Sequence, residues 1–173
     1  MRDAFGGVFM MRLLLVFIVV LVAFTAISFK YAKSFKVKNQ VIDFIEQNQV
    51  IDIDNFFNQG SRAKINELDS ILAAAEYDVS CSDTPYSEGN IIDDDTHKVI
   101  GYCHNGVVII KNYAKSKETE TDNVKISTYD IYTYAHWNLG VLNTILALGG
   151  KDPNSEKPLG GFWEISGEAT VKY

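Results

Sequence analysis

The run Leu13–Phe29, LLLVFIVVLVAFTAISF, constrains this chain more than any other stretch, because it holds no charged residue. As a helix it spans about 25 Å at about 1.5 Å per residue. That is slightly short of a hydrocarbon core of about 30 Å. The apolar residues of Ala4–Met11 make up the difference on the N-terminal side. Arg12 stands between the two, and an arginine near a helix end extends its guanidinium to the headgroups. The expectation is one membrane-inserted helix from about residue 4 to residue 29, followed by a tethered domain. A cleaved signal peptide is the rival reading. Its apolar core would be shorter and would end in an A-x-A-like site. Neither Ala23-Phe24-Thr25 nor Ala26-Ile27-Ser28 supplies a convincing one.

Of the 173 residues, about 140 follow the span, enough for one domain with a real core. The formal net charge is -6. Residues 1–29 hold Arg2, Asp3 and Arg12, so the remainder carries -7. An acidic domain argues against a nucleic-acid partner, because neutralising phosphates takes clustered Lys and Arg. Lys30, Lys33, Lys36 and Lys38 do cluster, but just beyond the span, where lipid headgroups are the expected partner.

The positive-inside rule would place those lysines in the cytoplasm. Cys81 and Cys103, the only cysteines, argue the other way. A single pair beyond an anchor suggests one disulfide and an oxidising compartment. Two reduced, buried thiols are the alternative. We expect a single-pass protein of the cell membrane with its C-terminal domain extracytoplasmic.

No Pro or Gly occurs between Val8 and Gln59, so the helix should continue out of the span. Tyr31, Phe35, Ile42 and Ile45 fall near one face, with Val41 and Phe44 beside them. This stripe needs a cover, either the chain's own sheet or another subunit. Asp52–Gly60 reads as a break. A second helix starts near Ser61, with Ile65, Leu68, Ile71 and Leu72 on its buried side. Tyr77–Cys81 alternates like a strand, and Ser82–Thr96 reads as a polar loop. Lys98–His104, Asn105-Gly106 and Val107–Tyr113 form the strongest local signal, since Asn-Gly suits the positive φ angles of a type I′ hairpin turn.

Lys115–Asn123 reads as a charged loop and Val124–Trp137 as a long strand whose apolar phase slips near Thr128 and Tyr129. Leu139–Leu148 is a short apolar helix or excursion, and Lys151–Gly161 a loop. The last strand alternates Trp163, Ile165, Gly167, Ala169, Val171 and Tyr173 against Glu164, Ser166, Glu168, Thr170 and Lys172, a sheet with one wet face. The expected fold class is α+β: a long N-terminal helix (transmembrane plus amphipathic extension), a second helix, then an antiparallel β-sheet. Its parts are a head and transmembrane helix over 1–29, a helical stalk over 30–60 and an α+β domain over 61–173.

Chemistry-bearing constellations are sparse. His97, His104 and His136 match no metal-ligand spacing. Asp93-Asp94-Asp95 lacks the alternation of a calcium loop. Ser166-Gly167-Glu168 is no nucleophile elbow, because Glu164 stands where that motif needs glycine. Gly149-Gly150 and Gly160-Gly161 are too sparse to cradle phosphate. The aromatics Tyr129, Tyr132, Tyr134, Trp137, Phe162 and Trp163 line either a core or a binding face. We expect no enzyme, catalytic residue, cofactor, metal site or small-molecule substrate. Phe17, Val20, Phe24 and Ile27 share one face of the span and are candidates for packing against other transmembrane helices, with lipid contact the alternative.

A hydrophobic N-terminal helix running out as an amphipathic rod, then a sheet, resembles the plan of type IV pilin-like proteins. The head Asp3-Ala4-Phe5-Gly6-Gly7 is similar to the leader-like start of pilin-related proteins of Gram-positive bacteria. The order Tyr129–Trp137, Leu139–Leu148, then Ile165-Ser166-Gly167-Glu168-Ala169-Thr170 resembles the close of TadE-like (tight-adherence, pseudopilin-like) minor pilins. The resemblance covers both ends of the chain and not residues 50–125. It implies a minor subunit of a pilus or secretion apparatus that acts by assembly. Its partners would be the membrane, other pilin-like subunits and an assembly platform. It also implies processing at Gly6 or Gly7. One departure is chemical. The family carries a glutamate five residues after the cleavage glycine, to neutralise a neighbouring N-terminal amine in a low-dielectric fibre core. Counted from Gly7 that position is Arg12, and from Gly6 it is Met11. Arg12 cannot form that pair, so the chain either stays uncleaved or sits at a tip or priming position. A membrane-anchored binding or sensor module is the second reading, with Tyr129–Trp137 and Ser82–Thr96 as its ligand face.

Overall fold

The stretch without proline forms one helix, α1, over Arg2–Gln47, 46 residues long. The structure, a computed structural model, describes residues 2–50, 62–93, 98–119, 124–138 and 160–172. Gly6 and Gly7 lie inside the first turns of α1, so the expected short head is itself helical. Each costs roughly 1 kcal/mol relative to alanine within a helix.

The far end of α1 is closed by a backbone motif. Gln49 takes a left-handed φ of 47°, and the Val50 N–H donates to the Ile45 carbonyl at 3.2 Å. That six-to-one bond satisfies a terminal carbonyl and tucks Val50 into the core. The second helix, α2 (Arg62–Ala74), ends the same way, with Glu76 at φ 51° and the Tyr77 N–H donating to Leu72 O at 3.0 Å.

Among the described residues six strands follow: β1 Gly89–Ile92, β2 Val99–His104, β3 Val107–Lys111, β4 Lys117–Thr119, β5 Val124–Asn138 and β6 Gly160–Lys172. They pair in the order β1-β2-β3-β5-β4, with β6 also on β5. The β1–β2, β2–β3, β3–β5 and β4–β5 ladders are antiparallel. The fold is therefore α+β with the expected order of elements. β2 and β3 form the expected hairpin, His104 opposite Val107. Asn105 and Gly106 take φ 46° and 73°, as a type I′ turn requires. Glycine is needed at 106 twice over, because a Cβ there would lie 2.7 Å from Val79 O.

Three local expectations are corrected. Tyr77–Ser80 forms no strand; Cys81–Asp83 is a 3-10 turn capped by Ser80, whose hydroxyl accepts the Ser82 N–H. The apparent loop Ser82–Thr96 contains β1, and the charged stretch Lys115–Asn123 contains β4. Both are short edge strands, where pairing to a neighbour overrides polar composition. The phase slip in β5 has a structural origin. Lys111 pairs with Tyr129 and Lys117 with Ile126, so five residues on one side oppose two on the other. The excursion is tied down where the Asn112 N–H donates to Thr128 O and the Thr128 N–H to Ser116 Oγ. Ser127, Thr128 and Tyr129 are consecutively buried there.

The described chain divides into two compact units, Met1–Tyr31 with His136–Phe162, and Ala32–Ala135 with Trp163–Tyr173. The second unit holds the main core. Val37, Val41, Phe44 and Ile45 of α1 pack with Leu68 and Leu72 of α2 and with Val107, Ile109, Tyr129, Ile131, Ala169 and Val171 of the sheet. Two buried polar bonds lock helix to sheet: Ser34 Oγ donates to Tyr134 O and Thr133 Oγ to Ser34 O, each at 3.0 Å. Gly167 admits α1 closely, since a Cβ there would lie 2.8 Å from Lys38 Cδ and 2.9 Å from Ile42 Cδ1. The amphipathic stripe is thus covered by the chain's own sheet. Tyr31 and Phe35 do not join it and stay 45% and 44% exposed.

Candidate functional site

The helix α1 over Gly7–Gln47 is long and apolar enough to cross a membrane, and its most apolar window is not buried by the rest of the chain. Phe17, Val20 and Phe24 are exposed, and Ile27 is half-buried. An isolated chain in water would not leave such a surface bare; the helix is compatible with a single-pass membrane protein. Thr25 and Ser28, the hydroxyls of the charge-free run Leu13–Phe29, donate to the carbonyls of Leu21 and Phe24 at 2.8 and 2.9 Å, so neither carries an unmet donor. Two of the lysines after the span have partners within the chain. Lys33 Nζ binds Glu76 at 2.5 Å, and Lys38 Nζ lies 4.1 Å from the Phe35 ring centroid. The Lys33 ammonium holds the exposed Glu76 carboxyl below its usual range through that hydrogen bond and its charge.

In the second unit, the sheet face away from α1 carries a smaller cluster of Val79, Cys81, Ile91, Cys103, Val108 and Tyr134. Cys81 and Cys103 are joined in a disulfide, with Cα atoms 6.2 Å apart, and both are fully buried. The bond pins the 3-10 turn to β2. The aromatic set divides between the two faces. Tyr129 lies in the helix-side core, Tyr134 in the disulfide-side cluster and Tyr132 half-buried beside it, while Phe162 and Trp163 are exposed. Burial, and after it the Glu164 carboxylate, raises the Tyr134 phenol, whose hydroxyl lies 3.3 Å from Glu164 Oε2. Tyr132 shifts the same way, first by burial, then by Asp130 and Glu164. Around them Asn112 donates to Asp130 at 2.8 Å, and Lys115 pairs with Glu168.

Tyr77 joins the elements of this unit. Its hydroxyl accepts the Tyr134 N–H at 2.9 Å and lies 3.1 Å from the carbonyl oxygens of Gly106 and Tyr134. Burial pushes its phenol up to about 12, opposed in part by the Tyr134 bond. The folded-state value exceeds the ordinary 10, so its contribution is complete below pH 10 and is lost as pH rises toward 12. Unfolding free energy should fall there by up to about 1.4 kcal/mol per pH unit. Urea titrations from pH 9 to 11.5 should show the decline, and Tyr77→Phe should flatten part of it, leaving the share due to Tyr134. An unchanged slope in Tyr77→Phe would remove Tyr77 from the account.

His104, at the end of β2 beside the hairpin turn, is held by two carboxylates. Nε2 lies 2.6 Å from Asp69 Oδ1 of α2, and Nδ1 lies 2.9 Å from Glu88 Oε1. Asn105 adds a 3.0 Å bond to the same Asp69 oxygen. No local signal marks this contact, because its partners lie 35 and 16 residues away. His136 stacks on Phe162 with centroids 4.6 Å apart. His97, Asp94 and Asp95, the Asp52–Gly60 break and Leu139–Leu148 lie outside the described residues, as does the side chain of Trp137. Beside the hairpin turn a groove of about 450 Å³ is lined by Asp69, Leu72, Tyr77, Asp78, Ser80 and Asn105. It holds carboxylates and a neutral phenol. Among the described residues, no nucleophile is paired with a base there. Set against known protein families, curated proteins and solved structures, the chain matches none of them.

Proposed function

We propose that this chain is a single-pass, pilin-like minor subunit of a bacterial type IV or tight-adherence-like pilus or secretion apparatus. It acts by assembly rather than catalysis. The observation that carries the proposal is the division of labour within α1. Its first part is apolar and uncovered, while its second part is built into a domain core under an antiparallel sheet. One continuous helix thereby carries both an apolar surface suited to a bilayer and a segment built into a folded head, the arrangement that an assembling subunit needs. The Cys81–Cys103 disulfide supports an extracytoplasmic domain, since such bonds persist in oxidising compartments. The residues bet on for subunit contact are Phe17, Val20, Phe24 and Ile27, because helix association in lipid rests on close side-chain fit.

The test replaces Leu13–Phe29 with an unrelated apolar helix of equal length. The domain should stay folded and membrane-bound, while co-purification of other single-span pilin-like subunits and an assembly platform is lost. Undiminished function with the substitute helix would favour a membrane-anchored binding module. The groove of about 450 Å³ beside the hairpin turn is the observation on its side.

A further inference from the structure

We infer that the outer edge of β6, over Glu164–Thr170, docks an extended segment of a partner protein in which basic and apolar residues alternate. The inference goes beyond the subunit reading and does not depend on the membrane anchor. β6 is 13 residues long and, among the described residues, pairs with β5 alone. The opposite edge of the sheet, β1, is four residues long, and its register shifts between Ile91 and Ile92. Short or irregular strands are how folds blunt an edge, and β6 is not blunted that way.

One bond shows which backbone groups face outward. The Thr170 N–H donates to Glu46 Oε1 of α1 at 3.2 Å, so it is turned away from β5. Along a strand, the N–H and C=O groups of successive residues point to opposite edges. Ile165, Ala169 and Val171 are all buried, so the alternation holds through this stretch. Glu164, Ser166 and Glu168 therefore turn their backbone groups to the same side as Thr170. Glu46 meets Thr170; among the described residues no side chain takes the other three amides.

The side chains define what fits. Glu164, Ser166 and Glu168 are exposed on the wet face. Lys115 pairs with Glu168, whereas Glu164 meets the Tyr134 hydroxyl and no cation among the described residues. An added strand sets alternate side chains beside these carboxylates, where lysine or arginine is favoured and acid is not. A second β6 laid antiparallel across Ser166 would set Glu164 of each copy against Glu168 of the other, so a second copy is disfavoured. The other face is apolar. Ile42 and the stem of Lys38 lie against Gly167, and Lys38 Nζ sits over the exposed Phe35 ring. Apolar residues of the alternate phase suit that side. Backbone bonds supply the affinity of such a contact, and the side-chain alternation its specificity.

The probe is a synthetic peptide alternating lysine and valine, added to the full-length protein in neutral detergent. Bound peptide should slow hydrogen exchange at the Ser166 and Glu168 amides, read by NMR, and leave Ala169, already turned to β5, unchanged. Methylating every lysine nitrogen of the peptide backbone removes the donors of one of its edges, and methylating every valine nitrogen those of the other. One of these two peptides should bind about tenfold more weakly or worse, and the other nearly as well as the parent. Exchanging the lysines for glutamate should abolish binding. Ser166→Pro removes an outward N–H that β5 does not use, and should weaken the parent peptide by about tenfold. The peptide variants act on an unaltered protein, so a Ser166→Pro protein that fails to fold leaves the test intact. No binding of the parent peptide, or equal binding of the two methylated ones, overturns the docking edge. A Ser166→Pro protein that changes oligomeric state, with no peptide bound by the parent protein, gives the edge to a second copy and overturns the proposed partner.

Discussion

Ile45→Ala is expected to lower the unfolding free energy of the full-length protein by roughly 2–5 kcal/mol, the range for truncating a buried isoleucine. Ile45 is fully buried in the contact between α1, α2 and the sheet, and its carbonyl also accepts the bond that closes the helix. Against a total stability of roughly 5–15 kcal/mol, that is a large fraction. Phe35→Ala is the matched control. Phe35 is 44% exposed, and its described partner is the Lys38 ammonium, so less than about 1 kcal/mol should be lost. Urea unfolding in detergent measures both. The comparison separates two uses of the extramembrane helix. An unchanged midpoint for Ile45→Ala would mean that the stripe meets other subunits and not the domain's own sheet.

The second large effect is expected from the disulfide. Cys81 and Cys103 are 22 residues apart, and closing a loop of that size removes denatured-state entropy equivalent to roughly 3 kcal/mol. Cys103→Ser, or reduction of the native protein, should therefore shift the urea midpoint down by a corresponding amount. The damage should centre on the sheet face that holds Val79, Ile91 and Val108, because the bond carries the 3-10 turn against that cluster. Protein taken from cells and labelled under denaturing, non-reducing conditions should show no free thiol. Full labelling would return the domain to a reducing compartment and give weight to the lysines after the span.

These two expectations meet at Tyr77. It follows the left-handed Glu76 that ends α2, and it reaches both the hairpin turn and β5. The helix-side core and the disulfide-side cluster both include it as a partly buried neighbour. A loss on either face is therefore felt on the other, and substitutions at Ile45 and Cys103 need not be additive despite their separation in sequence.

Periodicity and turn chemistry determined much of this fold. Leu13–Phe29 reads as the heart of a span because charge is absent over most of a bilayer's hydrocarbon thickness. The β2–β3 hairpin is legible because Asn105-Gly106 suits a backbone that few other pairs adopt. Ile165, Ala169 and Val171 alternate because β6 has one dry face, and Leu68 and Leu72 mark the buried side of α2. In each case the decisive interactions lie within a few residues along the chain. The tertiary structure alone decided the rest. β4 is polar in sequence and β1 is a short Gly-Asn-Ile-Ile segment inside a polar stretch, and they become strands because β5 and β2 offer them unpaired backbone. Whether the α1 stripe faced its own sheet or another subunit turned on Gly167 and on the Ser34–Thr133 bonds, formed across about 100 residues. His104 gained two carboxylates, and Lys33 its glutamate, from segments that no local pattern connects to them. Long-range pairing of polar groups leaves no period in a sequence, because its geometry exists only once the apolar faces have closed.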